Sequence, residues 1–340
     1  MMREKKFYRQ DSSKSTEQFS YKMDITEILA ANLGQEFVKY RQKLESAVSF
    51  KEEPQFPIHI DFETIFGCNL RCVMCTHAHR DLFPSRKRYL DFDLFKRLID
   101  EGSLYNLPSI GLDQEGEPLL VDNLLDYISY AKQKGVLDIM INTNATLLDR
   151  SKTEALLHSG LTRIHFSLDA ISEDTYNQIR VGSDFKKVME NILYFCKRKK
   201  ELQKELPITR VSFVKMKNNE HELEDFVEFW TPYVDAIAIQ EYNNPFPDYF
   251  GLRDLYAESR IVNPEFRCTQ PWFRVVVLSD GTVLPCCLLG SSLKMALGNA
   301  NDSTIYDLWN SSEMRRLRRL HSEGKYHTHK ICNECALNFL

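Results

Sequence analysis

The chain has 340 residues, 43% of them hydrophobic and 27% charged, a composition typical of globular proteins with a substantial buried core. Its formal net charge of −4 and its pI of about 6.2 give no basic surface for a nucleic acid or an anionic membrane. The sequence has no apolar run of membrane-spanning length and no secretory signal at its polar N-terminus, so we expect a cytoplasmic location.

The N-terminal region comprises residues 1–57. Residues 1–20 are polar and are expected to be disordered. Residues 24–48 carry apolar side chains at helical spacing, which predicts one or two helices, and "KEEPQFP" then ends the pattern. This region is interpreted as a polar tail and a helical extension.

Short β-type segments alternate with amphipathic helical segments over residues 58–254. Strands are predicted at 58–62, 109–112, 136–142, 163–168, 209–215 and 235–240. The alternation predicts βαβ units in an α/β fold with a parallel sheet. Six units, with no glycine-rich dinucleotide-binding sequence after the first strand, favour a partial (β/α)6 TIM-like barrel over a doubly wound sheet. In such a barrel the functional residues lie at the carboxyl ends of the strands.

The sequence changes character near residue 255. Residues 273–287, "FRVVVLSDGTVLPCC", predict a β-hairpin with an Asp280-Gly281 turn. A helix is predicted at roughly 303–322, followed by a cysteine-rich tail. Residues 255–340 are therefore interpreted as a small second domain that is organised by metal rather than by a large core.

Eight of the nine cysteines fall into two clusters, which in a cytosolic protein favours metal binding or catalysis over disulfides. Cys68, Cys72 and Cys75 directly follow the first predicted strand. Three thiolates can hold three irons of an Fe–S cube and leave one iron open, as a catalytic metal site requires. Structural zinc, bound by Cys72 and Cys75 with His77 and His79, is the alternative.

The segment "CNLRCVMC" after the first strand resembles the signature of the radical S-adenosylmethionine (SAM) superfamily. The resemblance implies that the open iron of a [4Fe–4S] cluster binds the amino and carboxylate groups of SAM. It also implies that one electron cleaves SAM to methionine and a 5′-deoxyadenosyl radical, which abstracts a hydrogen atom from the substrate. Met74 stands where relatives most often have an aromatic residue, and it is expected to pack beside the adenine.

Other segments resemble motifs of the same family in the same order. They are "EGEP" at 115–118, "NTNATLL" at 142–148 and "FSLDA" at 166–170. The resemblance implies that Glu117 accepts a hydrogen bond from the SAM amino group and that Arg180 binds the SAM carboxylate through its planar fork. The polar side chains of the third segment would face the ribose. The implied cofactor-binding residues are Met74, Gly116, Glu117, Pro118, Asn144, Ser167, Asp169 and Arg180.

The second cluster has five cysteines, Cys287 and the four predicted ligands Cys268, Cys286, Cys332 and Cys335. Four thiolates form a closed shell, which suits an auxiliary [4Fe–4S] cluster or a structural zinc ion. The pattern resembles the SPASM domain of many radical SAM enzymes, and with five residues after Cys335 it is closest to the shortened "twitch" form with one auxiliary cluster. The spacing is similar to that of 2-deoxy-scyllo-inosamine dehydrogenase, a radical SAM alcohol dehydrogenase.

The resemblance leaves the reaction open. The favoured hypothesis is oxidation of an alcohol in a sugar, an aminocyclitol or a similar polyol, with the auxiliary cluster as electron acceptor and a flavodoxin- or ferredoxin-type donor. Glu241 and Tyr242, just after the sixth strand, are the candidate bases. Epimerisation or dehydration of a sugar, with Cys287 as a hydrogen-atom donor, is the first alternative. Maturation of a peptide and a zinc-stapled binding scaffold are the others.

Three further features are expected to be structural. Cys196 lies on an amphipathic helix and is expected in the core, and Cys287 is expected to be a packed neighbour of a ligand. The basic run over 314–325 is expected to be a solvated helix face, with docking of an acidic electron donor as its functional alternative.

Overall fold

An eleven-stranded sheet runs through the chain in this computed structural model, which describes residues 24–78, 87–242, 255–259, 267–287 and 293–336 and the backbone of two strands before them. The strands are β1 Phe7–Arg9, β2 Gln18–Tyr21, β3 His59–Phe62, β4 Ser109–Gly111, β5 Asp138–Thr143, β6 Arg163–Ser167, β7 Ile208–Lys215, β8 Ala236–Glu241, β9 Arg274–Val277, β10 Thr282–Leu284 and β11 Gly298–Asn299. Their order is β1-β2-β8-β7-β6-β5-β4-β3-β9-β10-β11.

Strands β3 to β8 are the six predicted strands, and they lie side by side in chain order with every pair parallel. Successive right-handed crossovers in one direction place all the connecting helices on one face, which is the arrangement of a partial TIM-like barrel. The prediction of a partial (β/α)6 barrel is confirmed.

The helices begin mostly at polar residues whose side chains accept hydrogen bonds from the first turn, as Asp91 and Asp149 do. They are α1 Ile25–Leu33, α2 Gln35–Val48, α3 Phe92–Leu104, α4 Leu124–Gln133, α5 Arg150–His158, α6 Glu173–Ile179, α7 Phe185–Glu201, α8 Leu223–Trp230, α9 Gln270–Phe273, α10 Ile305–Trp309, α11 Ser312–Ser322 and α12 Lys330–Ala336. Short 3-10 turns cover Pro118–Leu120, Glu220–Glu222, Leu293–Met295 and Tyr326–Thr328. In the described part of the chain, no helix has the length and apolar character that a membrane span requires.

Side chains of the parallel strands alternate between two environments. Ile60, Ile110 and Ile164 point into the main core, which the helices cover. The intervening positions carry polar side chains such as His59 and His165, which face the other side of the sheet, the barrel interior. Cys196 lies in the main core, as predicted. The outer face of the barrel sheet is therefore apolar and packs against the helices, whereas its inner face carries polar side chains.

The N-terminal region differs in part from the sequence prediction. The predicted helical stretch forms α1 and α2, which are separated at Gly34 and pack on Ile58 and Ile208 at the amino ends of β3 and β7. The polar tail was expected to be disordered, but β1 and β2 form within it, and β2 pairs antiparallel with β8. Strand pairing of this kind is hard to recognise in a short polar sequence, because it is formed by backbone groups.

The C-terminal part extends the same sheet on its other edge. Strand β9 pairs in parallel with β3, and β9 and β10 form the predicted hairpin. The predicted helix at 303–322 is two helices, α10 and α11. The domain boundary is thus crossed by continuous backbone hydrogen bonding.

Helix α11 corrects the interpretation of the basic run. Arg315, Arg316 and Arg319 are exposed, as a solvated face requires. Arg318 and His321 are buried instead. The guanidinium of Arg318 stacks on the Trp309 ring at 3.9 Å, donates to backbone carbonyls and pairs with Glu53. Helical periodicity places these two positions on the inner face with the apolar residues.

Helix α10 is held to the barrel by a carboxylate. The Glu101 carboxylate on α3 accepts hydrogen bonds from the backbone N–H groups of Ile305 (3.0 Å) and Tyr306 (2.8 Å). These N–H groups begin α10 and have no partner within the helix. The contact fixes the C-terminal part against the barrel.

We expect Glu101→Ala to lower the hydrogen-exchange protection of the α10 amides by ~1–2 kcal/mol, since losing an N-terminal cap costs about that much. Asp93→Ala is the matched control, because Asp93 is on the same helix, is 87% exposed and pairs with Lys96 at the surface. Equal protection of α10 in the two variants would contradict this role of Glu101.

Candidate active site

The first three cysteines lie together on the loop after β3. The backbone N–H of Leu70 donates to Cys68 Sγ, and that of His77 donates to Cys75 Sγ, each at 3.4 Å. Burial, followed by the charges of Glu115 and Cys72, raises the pKa of Cys75 to about 12. A thiol this reluctant to ionise loses its proton when a metal binds, because the metal supplies the missing positive charge.

The turn after β4 packs against the backbone that leads into this loop. A Cβ atom at Gly116 would lie 2.1 Å from the carbonyl oxygen of Ile65 and 2.8 Å from that of Gly67. The N–H of Glu117 donates to the Gly67 carbonyl at 2.9 Å, and Pro118 begins a 3-10 turn. Only glycine fits at position 116, so the turn and the cysteine loop are fixed together.

The Glu117 carboxylate joins the ends of two neighbouring strands. It accepts hydrogen bonds from Leu119 N (3.1 Å), Thr143 Oγ1 (2.7 Å) and Asn144 N (2.8 Å). Burial raises its pKa, which these hydrogen bonds oppose. The carboxylate is close enough to Cys68 for their charges to interact. A carboxylate held beside the cysteines suits its predicted role toward the SAM amino group.

The turn after β5 also reaches the cysteine loop. Asn144 Nδ2 donates to Asn69 Oδ1 at 2.9 Å and contacts Cys68 Sγ at 3.7 Å. Ala145 has φ of 58°, the left-handed conformation that favours glycine, and it occupies the glycine position of the resembled motif. Such strain costs a non-glycine residue about 1–2 kcal/mol, and it is concentrated here at the site.

Arg180 lies between the cysteine loop and β6. Its Nη1 contacts Cys72 Sγ at 3.5 Å, and its Nη2 pairs with the buried Asp169. Burial alone would lower the pKa of Arg180, but the charge of Asp169, together with Cys72 and Tyr176, outweighs burial and raises it, so the guanidinium stays protonated. Asp169 also accepts from Val214 N at 2.7 Å. Its carboxylate therefore positions Arg180, and its contact with the ribose stays a prediction.

One N–H group of the Arg180 guanidinium is unpaired among the described residues. Its Nε–H is buried and has no hydrogen-bond partner among the described residues. A buried unpaired donor beside the cysteines fits a carboxylate ligand, because leaving such a group unpaired costs about 1–3 kcal/mol. The residues present thus fit the amino-acid end of SAM.

Met74 and Ser167 complete the predicted cofactor residues. Met74 is partly buried against an apolar cluster that contains Ile179, Met216 and Tyr242. Ser167 ends β6 and is partly exposed. Their contacts with the adenine and the ribose stay predictions.

The position of His77 does not support the alternative of a structural zinc ion at the first cysteine cluster. Its ring packs edge-on against Phe66, with centroids 5.4 Å apart. His79 lies outside the described residues.

Glu115, at the first glycine position of the resembled motif, accepts a hydrogen bond from Thr76 Oγ1 at 2.6 Å. This departure from the family pattern ties the turn to the residue after Cys75.

The four predicted ligands of the second cluster line one cavity. Its walls are Cys268, Cys286, Cys332 and Cys335 with Pro271, Pro285, Met295, Leu317, His321 and Ile331. Burial, reinforced by the neighbouring thiols, raises the pKa of Cys268 and Cys335 well above the ordinary value. Across the described residues, no three Cys, His, Asp or Glu side chains converge as single-ion ligands do. The thiols surround an apolar space, and four thiols around such a space are the donor set of an Fe–S cluster.

Polar side chains on the barrel interior form a network that the sequence analysis did not single out. His59 contacts Ser109 Oγ and Asp61 Oδ1, each at 2.8 Å. Arg274 Nη1, from the C-terminal hairpin, donates to Asp61 Oδ2 at 2.8 Å. The signal was the period-two placement of His59 and Asp61 in an otherwise apolar strand, since such a strand has one polar face.

The network continues at the mouth of the barrel around Asp113. Asn142 donates to the Asp113 carboxylate, and Asn142 Oδ1 contacts His165 Nδ1 at 2.8 Å. A Cβ atom at Gly111 would lie 2.5 Å from Asp61 Oδ1 and 3.3 Å from Asp113 Oδ1. Burial, followed by the charge of Asp61, raises the pKa of Asp113 to about 7. This carboxyl group can therefore exchange a proton near neutral pH.

The predicted bases lie at the carboxyl end of β8, where Glu241 is the last residue of the strand and Tyr242 follows it. Glu241 Oε1 pairs with Lys215 Nζ at 2.9 Å. Tyr242 is 3% exposed, packs on Tyr256, and has a pKa raised by burial. By contrast, Asp113 accepts a hydrogen bond from the neutral amide of Asn142, and its pKa of about 7 suits proton transfer at neutral pH.

Cys287 lies where the two parts of the chain meet. Its carbonyl oxygen accepts from Gln114 Nε2 at 2.9 Å, and its Sγ contacts Gln270 Oε1 at 3.7 Å. It packs against a small apolar cluster of the hairpin, as predicted. Its thiol is also close enough to Arg274 and Asp61 for their charges to interact with it.

Comparison with known protein families identifies both parts. The model of the radical SAM superfamily matches residues 62–229, and the model of SPASM, an iron–sulfur cluster-binding domain, matches residues 268–336. The chain belongs to the radical SAM superfamily. The family matches confirm that the protein is an enzyme that uses SAM and a [4Fe–4S] cluster, as predicted. They also confirm the prediction of auxiliary Fe–S binding in the SPASM domain.

Relatives of this radical SAM protein differ in length and reaction. It is 24% identical over 321 residues to the tungsten-containing aldehyde ferredoxin oxidoreductase cofactor-modifying protein of Pyrococcus furiosus, covering 82% of the chain and 87% of that protein. It is 30% identical over 162 residues to the GTP 3′,8-cyclase of Alkaliphilus oremlandii, covering 47% of the chain and 48% of the cyclase. The chain thus spans about half the length of the cyclase.

Among solved structures the fold is similar to BtrN, 2-deoxy-scyllo-inosamine dehydrogenase, in complex with AdoMet and 2-DOIA. The TM-score is 0.54 at 18% identity, covering 82% of this chain and 92% of BtrN. The similarity shows that the radical SAM protein shares the fold of that enzyme.

We expect Arg180→Lys to weaken SAM binding by about tenfold or more, since lysine lacks the planar fork that pairs with Asp169 and a carboxylate. The measurement is equilibrium binding of SAM to cluster-loaded protein. Arg198→Lys is the control, because Arg198 forms ion pairs on the surface of α7. Unchanged SAM affinity in Arg180→Lys at equal iron content would contradict the assignment.

Proposed function

We propose that this radical SAM enzyme oxidises a hydroxyl group of a polyol, such as a sugar or an aminocyclitol, to a carbonyl group. When bound, SAM and its cluster supply the 5′-deoxyadenosyl radical that takes the carbinol hydrogen atom, and the auxiliary cluster supplies an acceptor for the remaining electron. The second hydrogen leaves the hydroxyl group as a proton. The similarity to the fold of BtrN, a dehydrogenase, supports this proposal.

The observation that carries the proposal is the polar interior of the barrel. His59, Asp61 and Arg274 present donors and acceptors on the inner face, next to the SAM-site turn after β4. A substrate with many hydroxyl groups matches such a polar surface better than an apolar substrate does, because hydroxyl groups can add hydrogen bonds to this network.

We assign the proton acceptor to Asp113. It lies four residues before Glu117, on the same turn, and the charges of the two carboxyl groups interact. Asn142 holds it in place, and its pKa of about 7 suits proton transfer at neutral pH. Glu241, held by Lys215, is the rival base.

The exposed side chains of Arg315, Arg316 and Arg319 form a basic surface to which an acidic electron donor of the flavodoxin or ferredoxin type can bind.

The thiol of Cys287 lies near Asp61 and Arg274, which favours epimerisation as a second candidate function. In that reaction this thiol returns a hydrogen atom to the substrate.

The proposed reaction is tested by anaerobic incubation of the reconstituted enzyme in D2O with SAM, a reductant and each member of a panel of sugars, aminocyclitols and related polyols. Oxidation gives a carbonyl product two mass units lighter than the substrate, with one 5′-deoxyadenosine per product, and it persists in Cys287→Ser. Epimerisation gives an isomer with one carbon-bound deuterium and is lost in Cys287→Ser. Stimulation of 5′-deoxyadenosine formation by peptides and by none of the polyols would contradict the proposal.

The product rate should rise as pH increases through about 7, because only the ionised Asp113 accepts a proton. We expect Asp113→Asn to lower the product rate roughly 100-fold or more and to abolish this pH dependence, while SAM binding is retained. Glu241→Gln is the matched variant at the rival base and should keep the pH dependence. Loss of the pH dependence in Glu241→Gln alone would assign the base to Glu241.

A further inference from the structure

His321 is a polar side chain in the otherwise apolar wall of the auxiliary-cluster cavity. It lies on the inner face of α11, one turn after Leu317, and is 2% exposed. Apart from the four cysteines, its neighbours in the wall are Pro271, Pro285, Met295, Leu317 and Ile331. An imidazole among hydrocarbon side chains needs a polar partner, because its ring nitrogens are otherwise desolvated without compensation.

The described residues do not provide that partner. His321 Nδ1 is buried and has no hydrogen bond within the described part of the chain. The ring stacks on Tyr326, with centroids 5.8 Å apart and an angle of 9° between the planes. Stacking fixes the orientation of the ring and leaves Nδ1, which lies in the ring plane, without a hydrogen bond among the described residues. The acceptors that a loaded cavity adds are the sulfur atoms of the cluster and of its thiolate ligands.

We propose that the imidazole of His321 donates a ring N–H hydrogen bond to a sulfur of the auxiliary cluster or its ligands. The four cysteines already fill the thiolate shell, so His321 acts as a positioning residue beside the cluster and not as a ligand. A neutral imidazole carries one N–H, and the proposal places it on Nδ1, the nitrogen that has no partner among the described residues.

The hydrogen bond has a consequence for electron transfer. A cluster becomes more negative on reduction, and a donor to its sulfurs stabilises the reduced form more than the oxidised form. His321 therefore raises the reduction potential of the auxiliary cluster. A higher potential makes the cluster a better electron acceptor, whatever the substrate of the enzyme.

The test is an EPR-monitored redox titration of the full-length, cluster-loaded protein and of His321→Phe. Phenylalanine keeps an aromatic ring for stacking on Tyr326 and removes the donor. We expect the equilibrium between reduced and oxidised auxiliary cluster to shift about tenfold toward the oxidised form, which is ~59 mV for one electron. Pulsed EPR in H2O and D2O should show an exchangeable proton coupled to the reduced cluster, and this coupling should be absent in His321→Phe.

Two further variants make the result decisive. His321→Gln keeps an N–H donor and should keep most of the parent potential, and Tyr326→Phe keeps the stacked ring and should leave the potential unchanged. An unshifted potential in His321→Phe would overturn the proposal, as would an equal shift in His321→Gln. Failure of both His321 variants to load the auxiliary cluster, with normal loading of Tyr326→Phe, would also overturn it, because His321 would then hold the site together and not tune it.

Discussion

The contact between the turn after β4 and the backbone ahead of the cysteine loop is the constraint on which the site depends. Gly116 lies so close to the carbonyl groups of Ile65 and Gly67 that no side chain fits. The same turn carries Glu117, which binds the end of β5, and Asp113, which faces the barrel interior. One close backbone contact therefore sets the relative positions of the cysteine loop, the carboxylate that is predicted to bind SAM and the proposed base.

Continuity of the sheet joins the two halves of the molecule. Strand β9 of the SPASM part pairs with β3, which leads into the SAM cysteine loop. Arg274 from β9 enters the barrel network through Asp61, and Gln114 binds the backbone of Cys287. The auxiliary site is thus held to the barrel by backbone pairing and by polar side chains.

The sequence predicts features that local pattern determines. The six parallel strands, the hairpin and both cysteine groups follow from periodicity, turn residues and spacing, and the structure has them within a few residues. The interior network was not predicted, because His59, Asp113 and Asn142 are brought together only by the pairing of strands far apart in the chain. The pairing of β2 with β8 was missed for the same reason. The burial of Arg318 was missed because an arginine in a basic helix is ordinarily exposed, although helical periodicity places this position on the inner face.

The central claim is that the chain holds two Fe–S clusters, one at each group of cysteines, and metal analysis tests it most directly. The measurement is iron, acid-labile sulfide and zinc per chain after anaerobic reconstitution, in the parent protein and in Cys268→Ala/Cys286→Ala. The account predicts about eight irons in the parent and about four in the variant, with equal sulfide and no zinc. About four irons with one zinc ion in the parent would contradict it, because the second site would then be structural and unable to accept an electron.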